Sequence, residues 1–118
     1  MKFQDNIPIY VQISNDIKEQ IVAGELQEGS KLPSIREYSV KYEVTALTMQ
    51  RAMALLESDN IVQTKKGVGS FVMTDIQEML KSSILSEQVK SFIEQLIKMG
   101  LKKEEILELV KEELANGK

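Results

Sequence analysis

The side chains best suited to binding chemistry are a few arginine, glutamine and lysine residues in the middle of the chain. Arg36 and Arg51 can form paired hydrogen bonds with a phosphate or with a guanine edge, and Gln50 can form them with adenine. Lys65 and Lys66 precede the sequence Gly-Val-Gly, so two ammonium groups stand beside residues that let a backbone approach a phosphate closely. These residue types indicate contact with nucleic acid.

Each of these side chains has a simpler interpretation as well. Arginine and glutamine are common on solvated helix faces, and a lysine pair can merely keep a hairpin soluble. Leu47, close to Gln50 in the sequence, could contact a thymine methyl group or pack into a helical core. The elements that hold these residues must decide between the interpretations.

The composition excludes most enzyme chemistry. The chain of 118 residues has no cysteine and no histidine, which removes disulfides, thiolate zinc sites, cysteine nucleophiles and histidine bases. Adjacent glutamates at 104–105 and 112–113 fall in a predicted solvated helix, where surface charge explains them better than catalysis. We predict no catalytic residue, no metal site and no cofactor, and therefore no enzyme.

The acidic balance of the whole chain hides one positive stretch. The net charge of −3 opposes phosphate binding if it is taken alone. Residues 31–66, however, carry six basic and four acidic side chains, whereas residues 1–30 and 74–118 are both net negative. The positive stretch contains the arginines and lysines named above.

The chain shows neither a membrane span nor a signal peptide. No apolar run approaches ~18 residues, and the N-terminus lacks the apolar stretch of a secretory signal. We therefore expect a cytoplasmic protein without a membrane partner.

Three helices are predicted to position the candidate residues. Apolar side chains recur at three- and four-residue intervals from Tyr10 to Ile21, which predicts a first helix. Ser34 and Glu37 have the spacing of a capping box, so a second helix should start at Ser34 and end near Tyr42.

A third helix follows after a gap that allows only a tight turn, with Thr45 as its cap. Two helices joined in this way form a helix-turn-helix, whose second helix meets base edges with residues near its start. The predicted buried stripe is Met49, Ala52, Met53 and Leu56. The residues left on other faces near the start are Ala46, Leu47, Gln50 and Arg51.

A basic hairpin is predicted after the third helix. Two short β-like runs, 61–64 and 70–72, flank the turn at 65–69, and the extended residues Lys31 and Leu32 should pair with them. We therefore predict a mainly α fold with a small β-hairpin wing, in which residues 1–73 form a winged helix-turn-helix domain.

Residues 74–118 are predicted to form a two-helix C-terminal dimerisation hairpin. Thr74 and Asp75 are suited to cap a long helix to about Met99, and a shorter helix should run from about Lys103 to Ala115. Two helices are too few to close a core alone, so their apolar stripe should pack on a second copy. The predicted dimerisation residues are Leu85, Val89, Phe92, Leu96, Met99, Ile106 and Val110.

The same stripe could also be an intrachain core, a membrane-surface face or a groove for another protein. A membrane-surface helix should carry mainly lysine and arginine on its polar face, whereas this one mixes Glu87 and Glu94 with Lys90 and Lys98. Self-association is the favoured interpretation.

The chain resembles the GntR family of transcriptional regulators, and its short C-terminal part resembles the YtrA subfamily. The similar segments are 8–13, 24–29, 32–37, 48–52 and 67–72, with a weaker likeness at 99–106. The resemblance implies a homodimer that binds a palindromic operator on double-stranded DNA, usually as a repressor and often of a transporter operon.

The resemblance also implies DNA contacts at individual positions. They are Ser34 and Arg36 at the start of the second helix, Thr45, Thr48, Gln50 and Arg51 in the third, and Lys66, Gly67 and Gly69 in the wing, to which the lysine pair adds Lys65. This chain departs from the family in having Ala46 where many members have a base-reading arginine, Ile35 for a common glutamate and Lys102 for a capping serine.

Two questions stay open at the level of sequence. The acidic total also permits a winged-helix protein-interaction module that never binds DNA. The sequence also does not identify a small-molecule effector. Two helices leave little volume for a pocket, so any effector would sit between subunits or near the hinge at 73–79.

Overall fold

Five helices and one β-hairpin make up residues 1–117, the part of the chain that this computed structural model describes. In chain order the elements are α1 (Ile9–Val22), α2 (Ile35–Tyr42), α3 (Ala46–Ser58), β1 (Val62–Lys65), β2 (Gly69–Val72), α4 (Gln77–Lys98) and α5 (Lys103–Asn116). The order and the antiparallel pairing of β1 with β2 confirm the predicted fold class. The chain divides into two compact units, Met1–Lys81 and Ser82–Lys118.

The core of the first unit forms between α1 and α3, because each helix is apolar along one face. Ile13, Ile17 and Ile21 recur along α1 and are almost completely buried, and α1 packs chiefly against α3. The predicted stripe of α3 is confirmed. Its buried residues are Met49, Ala52, Met53 and Leu56.

Helix α2 begins with the predicted capping box. Ser34 Oγ accepts a hydrogen bond from the Glu37 amide at 3.1 Å, and Glu37 Oε1 accepts one from the Ser34 amide at 3.0 Å. Two amide groups that the helix leaves without partners are thereby satisfied. The helix ends at Tyr42, and the next residue, Glu43, has a φ of 56° that turns the chain towards α3.

Two tyrosines hold α2 against the first unit's core. The side chains of Tyr38 and Tyr42 are buried, and the Tyr42 hydroxyl donates to Asp16 Oδ2 at 2.7 Å and accepts from Gln20 Nε2 at 3.1 Å. Burial, followed by the hydrogen bond to Asp16, raises the pKa of Tyr42 above its ordinary value of 10. The phenol therefore remains a donor and links α2 to α1.

The wing consists of β1, β2 and a single bridging residue before α2. Lys31 pairs with Phe71 in an antiparallel bridge, and the Leu32 amide donates to the Ser70 carbonyl at 2.8 Å. The predicted pairing of Lys31 and Leu32 with the wing is thus confirmed, and it involves β2. The start of α2 is consequently tied to the wing through the backbone.

The start of α4 differs from the prediction. The helix begins at Gln77, after Asp75 in a left-handed conformation with φ 60°, and its cap comes from Glu28 in place of Thr74 and Asp75. Glu28 Oε2 accepts from the Ile76 amide at 2.7 Å and from the Gln77 amide at 2.9 Å. A carboxylate at a helix start also interacts favourably with the helix dipole.

The first turn of α4 belongs to the first unit. Ile76 and Leu80 are buried, and Gln77 Nε2 donates to the Ile21 carbonyl at the end of α1 at 3.2 Å. The compact units therefore divide after Lys81, later than the predicted division between residues 73 and 74. The reason is that these side chains bury apolar surface that the sequence alone assigned to the second part.

The second unit is an α-helical pair with little core of its own. Ile106 is the one buried residue among its described positions. At the start of α5, Glu105 Oε1 accepts from the Lys102 amide at 3.0 Å, and the lysine side chain, which has no acceptor, cannot return the bond. In the described part of the chain, every helix is too short or too polar to cross a lipid bilayer.

The Glu28 cap makes the stability of the protein depend on pH. Hydrogen bonds from the amides of Gln77 and Ile76 hold the pKa of Glu28 below its ordinary value of 4.5. A carboxyl group with a lowered folded-state pKa stabilises the fold above its unfolded pKa, and this contribution is lost as the pH falls through the folded value. Glu28→Gln should lower the free energy of unfolding at pH 7 and should lose less additional stability than wild type on acidification below about pH 4.5.

Urea denaturation followed by circular dichroism at pH 7 and at acidic pH measures this difference. Glu25→Gln, which makes the same change in the loop before Glu28, is the matched control and should behave as wild type. Equal pH dependence in Glu28→Gln and Glu25→Gln would contradict the role of the cap.

Candidate nucleic-acid interface

The polar residues at the start of α3 lie outside its buried stripe. Thr45 Oγ1 accepts from the Thr48 amide at 3.2 Å and donates to Thr48 Oγ1 at 3.0 Å, so both threonines stabilise the start of the helix. Gln50 and Arg51 are exposed, and within residues 1–117 Arg51 takes part in no ion pair. Their hydrogen-bonding groups are free to meet a ligand.

Leu47 is a clear case in which the structure decides between two interpretations. Its side chain is 59% exposed on the first turn of α3, so the alternative that it packs into the core is wrong. It lies on the first turn together with Ala46 and Thr48, on the end of the helix that presents Gln50. An exposed leucine there leaves contact with a thymine methyl group as the remaining functional interpretation.

At the start of α2, Ser34 and Arg36 are exposed. The Ser34 oxygen accepts the Glu37 amide, but its hydroxyl hydrogen is not needed for the cap. Ser34 can therefore cap the helix and donate to an anion at the same time.

The two wing lysines differ in their surroundings. The Lys65 ammonium lies 4.8 Å from the centroid of the Phe71 ring, within the range of a cation–π interaction. Lys66 makes no ion pair in the part of the chain that the structure describes. Gly67 has φ 77° and no atom near the position of a missing Cβ, so the turn can approach a ligand closely.

The wing and the start of α2 line a single cleft of about 540 Å³. It brings together Ser34 from α2 with Lys65, Lys66, Gly67 and Gly69 from the wing. The predicted residues Arg36, Thr45, Thr48, Gln50 and Arg51 do not line this cleft. The candidate residues therefore fall in three places: the start of α3, the cleft around the wing, and Arg36 on α2 outside that cleft.

Lys31 also lines the cleft and is absent from the residues predicted by sequence. The signal that could have found it is the predicted pairing of Lys31 and Leu32 with the wing. A residue that pairs with β2 lies beside the wing glycines, whatever its distance in the sequence.

Side chains at the end of α3 hold the wing in place. Thr64 Oγ1 donates to Glu57 Oε2 at 2.8 Å and lies 3.1 Å from Ser70 Oγ, so one threonine joins α3, β1 and β2. Asp59, just after α3, pairs with Lys18 of α1 at 3.1 Å. These contacts hold α1, α3 and the wing together in the first unit.

The predicted dimerisation residues lie in the second unit and are mostly exposed. Leu85, Val89, Phe92 and Met99 are exposed, with Phe92 at 46%, and Leu96 and Val110 are half-buried. An apolar groove of about 500 Å³ lies between α4 and α5. It is lined by three of the predicted residues, Val89, Phe92 and Val110, and by Ile93 and Leu107.

Among the predicted dimerisation residues, Ile106 is the least exposed. It is only 7% exposed in a single copy and lines the groove between α4 and α5. Ile93 and Ile97, which the predicted set omits, are exposed on α4. The apolar face of α4 is thus wider than one seam.

Known proteins with similar sequences are transcriptional regulators rather than enzymes. Residues 9–72 match the family model described as bacterial regulatory proteins, gntR family. The chain is 38% identical to the transcriptional regulator YhcF of Bacillus subtilis over 112 residues, with 93% of each chain covered. It is 30% identical to the transcriptional repressor YtrA of the same organism, covering 98% of this chain and 91% of the relative.

Solved structures agree with these matches. A GntR family transcriptional regulator from Listeria monocytogenes has 39% identity and a TM-score of 0.83, covering 93% of this chain and 98% of that one. The DNA-binding domain of AraR in complex with operator ORX1 has 26% identity and a TM-score of 0.57, covering 60% of this chain and 92% of that domain.

The matches cover the winged helix-turn-helix and, for YtrA, nearly the whole length of both chains. The protein is therefore a DNA-binding transcriptional regulator of the GntR family, of the YtrA type.

Proposed function

We propose that the protein is a homodimeric repressor that binds a palindromic operator. The proposal rests on the exposed polar face of α3. This face points outward because the apolar face of the same helix is buried, chiefly against α1. A helix-turn-helix of this kind places its second helix in the major groove. The first unit supplies this activity, and the apolar residues of the second unit supply the dimer contact.

Base recognition is assigned to the start of α3. Arg51 can bind guanine through two hydrogen bonds and Gln50 can bind adenine, while Thr45 and Thr48 have hydroxyl groups for bases or phosphates. Leu47 is available for a thymine methyl group. Ala46 leaves one contact fewer than in relatives with arginine there, so we expect an operator of different sequence.

Phosphate contact is assigned to α2 and the wing. Arg36 and the Ser34 hydroxyl lie exposed at the start of α2, and Lys65 and Lys66 stand beside Gly67 in the cleft described above. Contacts of this kind position a protein on duplex DNA without reading its sequence. Gly69 is the remaining residue among the predicted DNA contacts of the wing.

The proposal of repression is supported by the description of YtrA as a repressor. From the resemblance to the YtrA subfamily we extend it to a transporter operon as the regulated unit. A regulator of bacterial operators works where the chromosome lies, so we place it in the cytoplasm. Family membership favours DNA over the protein-interaction alternative, and affinity for duplex DNA that falls steeply with salt would separate the two.

The proposed dimer is supported by the apolar face of the second unit. Leaving Phe92, Val89 and Leu85 about half exposed on one helix is unfavourable in water, and a second copy would cover them. A two-fold symmetric dimer also matches the two half-sites of a palindrome. The groove between α4 and α5 is assigned to this contact, and no effector is assigned.

Arg51→Ala and Lys66→Ala should weaken DNA binding in different ways. A bidentate base contact discriminates by about 1–3 kcal/mol, so Arg51→Ala should lower operator affinity roughly tenfold and affect random duplex DNA less. Lys66→Ala should lower the affinity for both DNAs by a similar factor. It should also make the slope of log K against log salt shallower by about 0.9, the value for one released counterion. The operator is first selected by the wild-type protein from random duplexes, and fluorescence anisotropy then measures both affinities.

Each variant serves as the control for the other. Unchanged affinity of both variants for both DNAs would refute the contact assignment. A loss of specificity in Lys66→Ala with none in Arg51→Ala would refute the division into base and phosphate contacts.

Phe92→Glu should convert the dimer into monomers. The substitution would bury a carboxylate in the apolar contact, where an unpaired charge is strongly unfavourable. Light scattering coupled to size-exclusion chromatography measures the mass, and operator affinity should fall with it. Ser91→Glu, which adds the same charge at the neighbouring exposed position of α4, is the control and should remain dimeric. A dimer that persists in Phe92→Glu would refute this seam.

A further inference from the structure

We propose that Lys31, which lies outside the helix-turn-helix and outside the wing turn, is a further DNA phosphate contact whose ammonium group the wing sets in place. The inference rests on the proposed function. Lys31 pairs with Phe71 of β2, and its side chain lines the same cleft as Ser34, Lys66 and Gly67. The backbone bridge therefore places a third lysine beside the wing pair.

Gly69 makes room for the lysine side chain. A Cβ atom built on Gly69 would lie 2.7 Å from Lys31 Cε, 3.7 Å from Cδ and 3.6 Å from Nζ. The first distance is shorter than a normal contact between two carbon atoms, which is about 3.5–4.0 Å. The flexible end of the lysine thus occupies the space that the Cβ of any other residue at 69 would fill, and it would have to shift to make room.

This contact changes the role of Gly69. The sequence pattern assigned both wing glycines to close approach of DNA, but their surroundings differ. Nothing lies within 4 Å of a Cβ built on Gly67, whereas the Gly69 position is covered by Lys31. A phosphate that approaches Gly67 meets backbone, and one that approaches Gly69 meets the ammonium group of Lys31.

The charge of Lys31 is available to a ligand. Among residues 1–117 its ammonium group forms no ion pair within 4.0 Å. The pKa of Glu37 is lowered chiefly by the hydrogen bond from the Ser34 amide, and the charge of Lys31 is the smallest of the causes. The Glu37 carboxylate is already held by the helix cap. Three ammonium groups therefore line the cleft with one carboxylate, an excess of positive charge that suits a phosphodiester.

Lys31→Met tests the charge while keeping an unbranched apolar stem. Binding of a random-sequence duplex should weaken several-fold, and the slope of log K against log salt should become shallower by about 0.9, the value for one released counterion. Lys31→Arg keeps the charge and should restore the slope. Lys111→Met removes the same charge from α5 and should leave the slope unchanged, which separates a contact from net charge.

A double-mutant cycle tests the part played by Gly69. Gly69→Ala should weaken binding because the added methyl group displaces the lysine, and in a Lys31→Ala background it should weaken binding by a smaller factor. Additive losses would overturn the inference that Gly69 acts through Lys31. The strain of a side chain at φ 142° is common to both backgrounds and cancels in the cycle.

The outcomes distinguish this inference from the proposed function. If Lys66→Ala makes the slope shallower and Lys31→Met does not, the proposed function stands and Lys31 is only a solvated lysine. If wild-type protein binds duplex DNA without salt dependence, the phosphate interface itself is refuted and this inference fails with it.

Discussion

The packing of α1 against α3 determines which residues of α3 face outward. Each side chain that this contact buries completely, such as Ile17 or Leu56, contributes about 1.5–3 kcal/mol through the hydrophobic effect. Rotation of α3 about its axis would expose Met49 and Leu56 and bury Arg51, which is unfavourable on both counts. The exposed polar face of α3, to which we assign DNA recognition, is thus a consequence of core formation, and Gln50 and Arg51 need no further contact to hold them outward.

The second group of candidate residues depends on backbone pairing instead of side-chain packing. Leu32 and Lys31 pair with β2 just before the cap of α2, so backbone hydrogen bonds tie the wing to the start of α2. Thr64 connects the same hairpin to the end of α3 through Glu57. The cleft that we propose for phosphate contact therefore stays close to α3, the helix that we propose for base recognition.

The second unit differs from the first in having almost no buried core of its own. Its two helices bury Ile106 and leave much of their apolar surface in water, which is unfavourable unless another surface covers it. The first unit instead closes its core within one chain and extends it through the first turn of α4. This contrast explains why the compact unit ends at Lys81, because Ile76 and Leu80 find partners in the first unit and the later apolar residues of α4 do not.

The sequence by itself determined the features that depend on local spacing. The capping box of Ser34, the buried stripe of α3 and the basic turn at 65–69 all follow from residues within a few positions of one another, where backbone geometry leaves little choice. Of the contacts between distant segments, the sequence predicted the pairing of Lys31 and Leu32 with the wing, and the tertiary structure alone decided the side-chain contacts. Glu28 caps α4 from 48 residues away, and Gly69 accommodates Lys31, because folding brings together side chains whose separation along the chain carries no periodic signal.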